Sequence, residues 1–391
     1  MSILKRPPGD DFTFRLFFRL TSKMKFSVDK IYLWSAVIDP TYNFGWWPEE
    51  GVWRVETELD YRNLLSDLIK SDLVILGVKD HLTSGDFNYK KTSTPSIVSY
   101  LNSLFEFYDS KQFILFTSVE NLEYYINRPN VKLIPWGGDI TNHQREYQKL
   151  MPVVEKNLDS KHTFLSLNRN KRAHRAMLVS LLYGVGMQDS GLISCMFKDS
   201  IEDLFEYTEW EVSDDSVYLN GFNILKNTKL SINDDPEIYH NNNNDNVSNF
   251  KNSLKTYYEN TFVEIVAETS YTEMCYNLTE KTLNSIYGCS FPILLCSTGS
   301  VEFLRSMGLD MFDDIIDHGY DMISDPAERL EYAILNNREL LTNNQRTKAL
   351  WIKNKARFEK NIDFCRERLY TYYNDRANTM FSKVISNDYI V

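Results

Sequence analysis

No run of apolar residues in this sequence approaches membrane-spanning length, and the apolar N-terminal stretch FRLFFRL is broken by arginines. A secretory leader pattern is also missing, so a cytoplasmic protein without membrane insertion is expected. The five cysteines, Cys195, Cys275, Cys289, Cys296 and Cys365, contain no CxxC pair. That spacing excludes a disulfide framework, and the apolar surroundings of most of them read as a reduced core. No zinc-ligand spacing occurs, and the acidic pairs Asp214–Asp215 and Asp313–Asp314 do not make a DxD motif. Neither a metal nor a resident cofactor is expected. Repeats at solenoid periods are absent. An excess of positive charge is absent too: the formal net charge is −11, which argues against a surface coated for general nucleic-acid binding. The stretch from Arg346 to Arg368 has eight basic residues against three acidic ones, as on the solvated face of a helix.

What is present is globular. The 391 residues are 43% hydrophobic and 25% charged, enough for two domains of moderate size. Short apolar runs, KIYLWSAVI, SDLVILGV, KQFILFTS and NVKLIPW, alternate with helix-like stretches such as YRNLLSDLIK and SIVSYLNSLFEFY. Strand alternating with helix predicts an α/β fold with parallel sheets covered on both faces. The alternation restarts at HTFLSLN and continues through TFVEIVAE and FPILL, with a change of unit near residues 151–162. The Asn-rich segment 233–249 reads as a loop. Asp325, Pro326 and Glu328 mark a helix start, and a long helical region follows over roughly 328–382.

Two stretches carry candidate chemistry. In the first, the strand FVEIVAE ends at Glu268, and Thr279, Glu280 and Lys281 then open a helix whose inner face includes Leu283, Ile286 and Tyr287. FPILL is the next strand, so this is a βαβ unit, and ligands of such sheets bind at the carboxyl ends of strands. A carboxylate there can accept both hydroxyls of a ribose, an ammonium can neutralise phosphate, and the helix start can offer N–H donors to an anion. The same residues also suit a plain helix cap beside a solvated lysine. In the second, TFLSLNRNKRAHRAMLVSLL, a strand runs into Asn168, followed by Arg169, Lys171, Arg172 and Arg175. Cations are disfavoured at a helix N-terminus, and a bound diphosphate would give a reason for Arg172 and Arg175 there. Salt bridges to acidic residues are the other reading.

The segment FVEIVAETSYTEMCYNLTEKTLNSIYGCSFPILL resembles the donor-binding region of the α-1,3-fucosyltransferase-like glycosyltransferases, with its Thr-Glu-Lys helix start. FLSLNRNKRAHRAMLVSLL is similar to the same family's strand, Asn-containing turn and Arg-bearing helix. FILFTSVENLEYY resembles the acceptor-domain strand and its Gly-Glu-Asn turn, with Val119 in place of the glycine. EFLRSMGLDMFDDIIDHGYD looks like the branch found in phage and large-virus genomes.

The resemblance implies a GT-B fold, two Rossmann-like domains facing across a cleft. It divides the chain into an acceptor domain at 1–155, a nucleotide-sugar donor domain at 156–345 and a helical extension at 346–391. It implies inverting transfer of a hexose or pentose from a nucleotide-sugar co-substrate to a hydroxyl acceptor, either a glycan or a hydroxymethylated base in phage DNA. The alternative is a non-catalytic nucleotide-sugar or glycan-binding protein of the same fold, such as a virion component. By resemblance the phosphate arginine is Arg175, the ribose glutamate Glu280, the phosphate lysine Lys281 and the strand-end glutamate Glu268. Asn168, Arg172 and Thr279 join them as donor-binding candidates. Asn277 stands where some members carry a tyrosine, and Tyr276 lies one position earlier. Glu120 is the implied catalytic base, and Asp139 in IPWGGDIT is a second candidate.

Overall fold

The computed structural model describes residues 2–3, 30–37, 45–47, 52–54, 73–79, 102, 105–117, 123, 126–135, 152–198, 201, 215–232, 250–269, 271 and 279–388. The chain divides into two compact units. One comprises Met1–Ser84, Thr92–Thr141 and Thr371–Val391, the other Gly85–Lys91 and Asn142–Tyr370. The sequence reading sets the first boundary at 155/156 and a separate extension at 346–391. By contact, the division falls between Thr141 and Asn142, and the C-terminal helices are shared between the two units.

The first unit contains β1 (Ser2–Ile3), β2 (Lys30–Val37), β3 (Gly45–Trp47), β4 (Val52–Arg54), β5 (Leu73–Lys79), β6 (Gln112–Thr117) and β7 (Val131–Pro135). β1, β2, β5, β6 and β7 form a parallel sheet in that order, and β3 and β4 pair antiparallel. Every residue of β6 after Gln112 is buried, as expected of a central parallel strand covered on both faces. Phe113 packs edge-on against Phe105 at 4.8 Å. The Asn130 amide donates to the carbonyls of Phe105 and Lys111, which fixes the turn leading into β7.

The second unit is built on β8 (Phe164–Ser166), β9 (Gly191–Ile193), β10 (Val263–Ala267) and β11 (Phe291–Leu295), all parallel, in the order β11-β10-β8-β9. Helix α1 (Ala173–Gly184) links β8 to β9. Helix α2 (Asp215–Asn227) lies on it so closely that a Cβ at Gly221 would stand 1.8 Å from the Ser180 carbonyl oxygen. This cover explains why α1 is buried from His174 to Tyr183 and not along a single stripe. Helix α3 (Lys255–Glu259) precedes β10, and α4 (Glu280–Tyr287) links β10 to β11. Helix α5 (Ser300–Met307) follows β11. The buried Cys195, Cys289, Cys296 and Cys365 belong to this unit's core, while Cys275 lies outside the described residues, as does the Asn-rich segment 233–249.

The C-terminal helical region is interrupted repeatedly. It forms α6 (Pro326–Leu335), α7 (Arg338–Thr342), α8 (Asn344–Lys353), α9 (Lys355–Glu367) and α10 (Leu369–Asp388). Asp325 caps α6 by accepting from the Glu328 amide at 2.7 Å, as its sequence position predicts. Three of the four breaks coincide with Asn337, Asn343 and Asn354, whose side chains compete with the backbone for hydrogen bonds, and the fourth falls at Arg368. Asn343 accepts from the Arg346 amide, and Asn337 donates to the carbonyls of Asp317 and Ala333. α8 and α9 cover the second sheet: Trp351 donates to the Cys289 carbonyl at 2.7 Å, and Phe358 packs on Phe291 at 5.0 Å. Part of the basic stretch is neutralised there, with Arg357 paired to Asp310 and Asp314 and Arg346 to Glu339. Among the described residues no helix is long and apolar enough to cross a membrane.

Candidate functional site

The order β11-β10-β8-β9 places β8 between a strand that follows it directly and a strand that the chain reaches later. The connections therefore leave β8 and β10 in opposite directions. A crevice opens at such a switch point, outside the carboxyl ends of the two strands. A cavity of about 130 Å3 lies there. Arg169 and Asn170 reach it from the turn after β8, Ile265 and Val266 from β10, Arg175 from α1, and Glu280, Lys281 and Asn284 from α4. Two sequence segments more than a hundred residues apart thus bring Arg175, Glu280 and Lys281 to one place.

Thr279 is the N-cap of α4, and its hydroxyl accepts from the Lys281 amide. The Lys281 ammonium lies 2.9 Å from the Thr279 hydroxyl, 3.3 Å from that of Thr269 and 3.2 Å from the Glu280 carboxylate. Both charged side chains keep between a quarter and a third of their surface exposed, at 26% for Lys281 and 29% for Glu280. They can therefore exchange these partners for a ligand.

Glu268 behaves differently from the donor-binding role expected of it. It has no exposed surface. One carboxylate oxygen accepts from the Thr279 amide, the Thr282 amide and the Thr282 hydroxyl at 3.1, 3.3 and 2.7 Å. The other accepts from the Thr279 hydroxyl and the Thr269 amide at 2.6 and 3.2 Å. The anion at the start of α4 is thus Glu268 itself. Helix amides expected to face a ligand are satisfied by the protein, because a carboxylate in the first turn both meets the dipole and fills the unpaired donors. Glu268 also offers its backbone carbonyl to His174 at 3.0 Å and to Arg175 at 3.2 Å. Burial and the neighbouring Arg175 and Arg172 hold His174 well below the usual imidazole range, so it meets that carbonyl as a neutral ring.

Arg175 is 2% exposed, and its guanidinium donates to the carbonyls of Asn170, Ala267 and Glu268 at 3.1, 3.0 and 3.2 Å. It lines the cavity while clamping the β8–α1 turn to the end of β10. Asn168 is fully buried and bridges the ends of β8 and β9, its amide donating to the Ser166 hydroxyl and the Ser194 carbonyl. Arg172 is buried at the N-cap of α1 and Thr279 at that of α4, and neither lines the cavity, nor do Asn168 and Glu268. Glu120, Asp139, Tyr276 and Asn277 lie outside the described residues.

Sequence reasoning missed the buried end of the cavity. Tyr258 and Glu264 line it there, joined by a hydrogen bond from the phenol to Oε1 of the carboxyl at 2.8 Å. Burial pushes Glu264 up to about 8, against the opposing influence of Tyr258, Ser285 and Lys156. Lys156 sits in the same network, donating to the Tyr258 carbonyl at 2.7 Å and the Ser290 hydroxyl at 3.0 Å, and burial brings it down to about 7. The one signal in the sequence was a glutamate in the middle of the otherwise apolar strand VEIVA. Among the described residues no group of three His, Cys, Asp or Glu side chains converges to hold a metal ion. No protein-family model, curated protein or solved structure matches this chain.

Proposed function

We propose that this chain is an inverting glycosyltransferase of the GT-B type, which binds a nucleotide-sugar in its second unit and transfers the sugar to a hydroxyl acceptor. The observation that carries the reading is the cavity at the β8/β10 switch point, with Arg169, Arg175 and Lys281 around it and Glu280 beside them. Three cations suit a diphosphate, and an adjacent carboxylate suits the paired hydroxyls of a ribose. The resemblance of the Thr-Glu-Lys helix start to the α-1,3-fucosyltransferase-like enzymes points the same way. The acceptor is a glycan or a hydroxymethylated base, each of which presents a nucleophilic hydroxyl. Inversion requires a base to deprotonate that hydroxyl as it attacks the anomeric carbon, and Glu120 or Asp139 is assigned this role.

Calorimetry with nucleoside diphosphates tests the donor site. Glu280→Ala and Lys281→Ala should each weaken binding by about 10- to 100-fold, the loss of one charge-assisted hydrogen bond of roughly 1.5–3 kcal/mol. The melting transition should remain cooperative. Unchanged affinity in both folded variants would overturn the assignment. Incubation with a panel of nucleotide-sugars then reads the chemistry. Sugar transfer or slow donor hydrolysis is expected, and tight donor binding with neither reaction would favour a binding protein.

A further inference from the structure

The chain enters the second unit at Asn142 and reaches β8 through an irregular strap over residues 152–163. Along it Val153, Glu155 and Asn157 are exposed, while Val154 and Lys156 are buried. Hydrogen bonds pin the strap across the entrances to β10 and β11. The Val154 amide donates to the Tyr287 carbonyl at 3.4 Å, the Asn157 amide to the Glu259 carbonyl at 2.7 Å, and the Ser160 hydroxyl to the Asn260 carbonyl at 2.6 Å. An inward position on such a strap suits an apolar residue, as at Val154, and a lysine there is the exception. The Lys156 nitrogen reaches two neutral oxygens, the Tyr258 carbonyl at 2.7 Å and the Ser290 hydroxyl at 3.0 Å, and both bonds are buried. Among the described residues no carboxylate lies within 4.0 Å of it.

A buried ammonium with no carboxylate in contact carries a desolvation cost that a neutral amine does not. Burial lowers Lys156 from the ordinary lysine value of 10.5 to about 7. Three groups pull the other way: Cys289 in the turn after α4, Glu264 of β10 and Glu259 at the end of α3. Burial pushes the Cys289 thiol up, and the Glu264 carboxyl up to about 8, so neither is a full anion at neutral pH. Glu259 is paired with Lys255 at 3.1 Å. Behind Cys289 lie Glu359 and Lys355 of α9, one charge of each sign. We propose that residues 153–160 form a proton-operated latch on the second unit: the strap is held down while the Lys156 amine is neutral and loosens when the amine takes up a proton. The latch adjoins the cavity wall without entering it. Tyr258 accepts from Lys156 through its carbonyl and donates through its phenol to Glu264, and Tyr258 and Glu264 both line the cavity. The device works whatever the cavity binds. An open strap returns Lys156 to water, where it holds a proton between pH about 7 and 10.5 that the closed strap refuses. Closure therefore strengthens as pH rises through that window and is level below it. One proton linked to opening changes the open fraction by up to about tenfold per pH unit.

Amide hydrogen exchange of the full chain, read by mass spectrometry at pH about 6, 7, 8 and 9 and divided at each pH by the intrinsic exchange rate, tests the latch. Peptides covering 153–160 report the strap, and those covering α6 report the rest of the unit. In the parent, strap protection should change by less than about threefold between pH 6 and 7 and rise by at least about tenfold between pH 7 and 9. Protection of α6 should stay within about threefold throughout. Lys156→Met keeps the length and apolar stem of the side chain and cannot take up a proton. Its strap protection should stay within about threefold from pH 6 to 9. The absolute level in this variant is not the readout, because the Tyr258 carbonyl loses its donor. Lys156→Arg stays charged at every pH and should show a flat profile at or below the parent's level at pH 6. A parent strap whose protection is flat from pH 7 to 9, or rises only in step with α6, would overturn the proposal without any variant. A Lys156→Met strap that keeps the parental rise would overturn it as well, and would assign the pH response to a group other than Lys156.

Discussion

Two glutamates twelve residues apart, Glu268 and Glu280, look interchangeable as ligands for a ribose, and their surroundings separate them. Glu268 is buried and accepts five hydrogen bonds from the α4 start and from Thr269. Glu280 is partly exposed and leans on Lys281. Replacing Glu268 by Gln would remove the charge that these donors face and turn an NH2 group against them. The expected cost is about 2–3 kcal/mol of stability, the scale of a charged hydrogen bond lost together with an unsatisfied buried donor. Glu280→Gln should change stability by less than about 0.5 kcal/mol, as at an exposed site. Urea denaturation of both variants measures the contrast, and equal midpoints would contradict the role given to Glu268. At this scale the sequence was only partly legible. The Thr-Glu-Lys start announced a cap, which Thr279 provides, and its Glu280 and Lys281 line the cavity. Which carboxylate serves the cap could not be read, because the choice depends on β10 ending beside α4. Glu264 was legible in principle, since a parallel strand buried on both faces should be apolar throughout and this one is not.

Among elements, the α1–α2 crossing is the tightest contact to argue from. Glycine in a helix interior ordinarily costs about 1 kcal/mol relative to alanine. Gly221 reverses that preference, because a methyl there would sit 1.8 Å from the Ser180 carbonyl oxygen, which belongs to a helix backbone that cannot step aside. Gly184 repeats the arrangement from the other helix, 2.1 Å from the Val217 carbonyl. Gly221→Ala should therefore destabilise by about 1–3 kcal/mol, the range for overpacking, despite alanine's higher helix propensity. A thermal melt unchanged or raised in this variant would show that the helices can part without loss. If the proposed donor site holds a nucleotide, the same variant should also weaken its binding modestly, because α1 carries Arg175. The strands of the two parallel sheets were legible as apolar runs, except β1 and β9, whose two and three residues give no periodicity to read. Helix α2 was not foreseen. The interruptions between α6 and α10 were missed because helix propensity sums over long windows, while three of the four breaks fall at single asparagines, Asn337, Asn343 and Asn354, and the fourth at Arg368.

The molecule as a whole has two parallel α/β units, and strand–helix alternation with a restart near residue 160 was enough to expect that. The position of the change was harder to place, because chain segments before and after it return to both units: Thr371–Val391 belongs with the first and Gly85–Lys91 with the second. Contacts this distant in sequence leave no local trace. The same separation hides Lys156 beneath the site, 108 residues before Glu264, in a stretch that reads only as a linker. If the second unit holds the donor, the base that activates the acceptor should be separable from donor affinity. The candidates Glu120 and Asp139 both belong to the first unit. Glu120→Gln should retain the parent's nucleotide-sugar affinity and melting temperature and lose transfer by ~10²–10⁴-fold, the usual contribution of a general base. Because the exchange conserves size and hydrogen-bonding capacity, a large fall in stability would mark Glu120 as structural. Asp139→Asn is the paired measurement. If turnover vanishes in Asp139→Asn and survives in Glu120→Gln, the base lies on the Gly-Gly-Asp turn, and the role transferred to Glu120 by resemblance is wrong. If both variants turn over at the parental rate, neither carboxylate takes the proton, and both assignments fall.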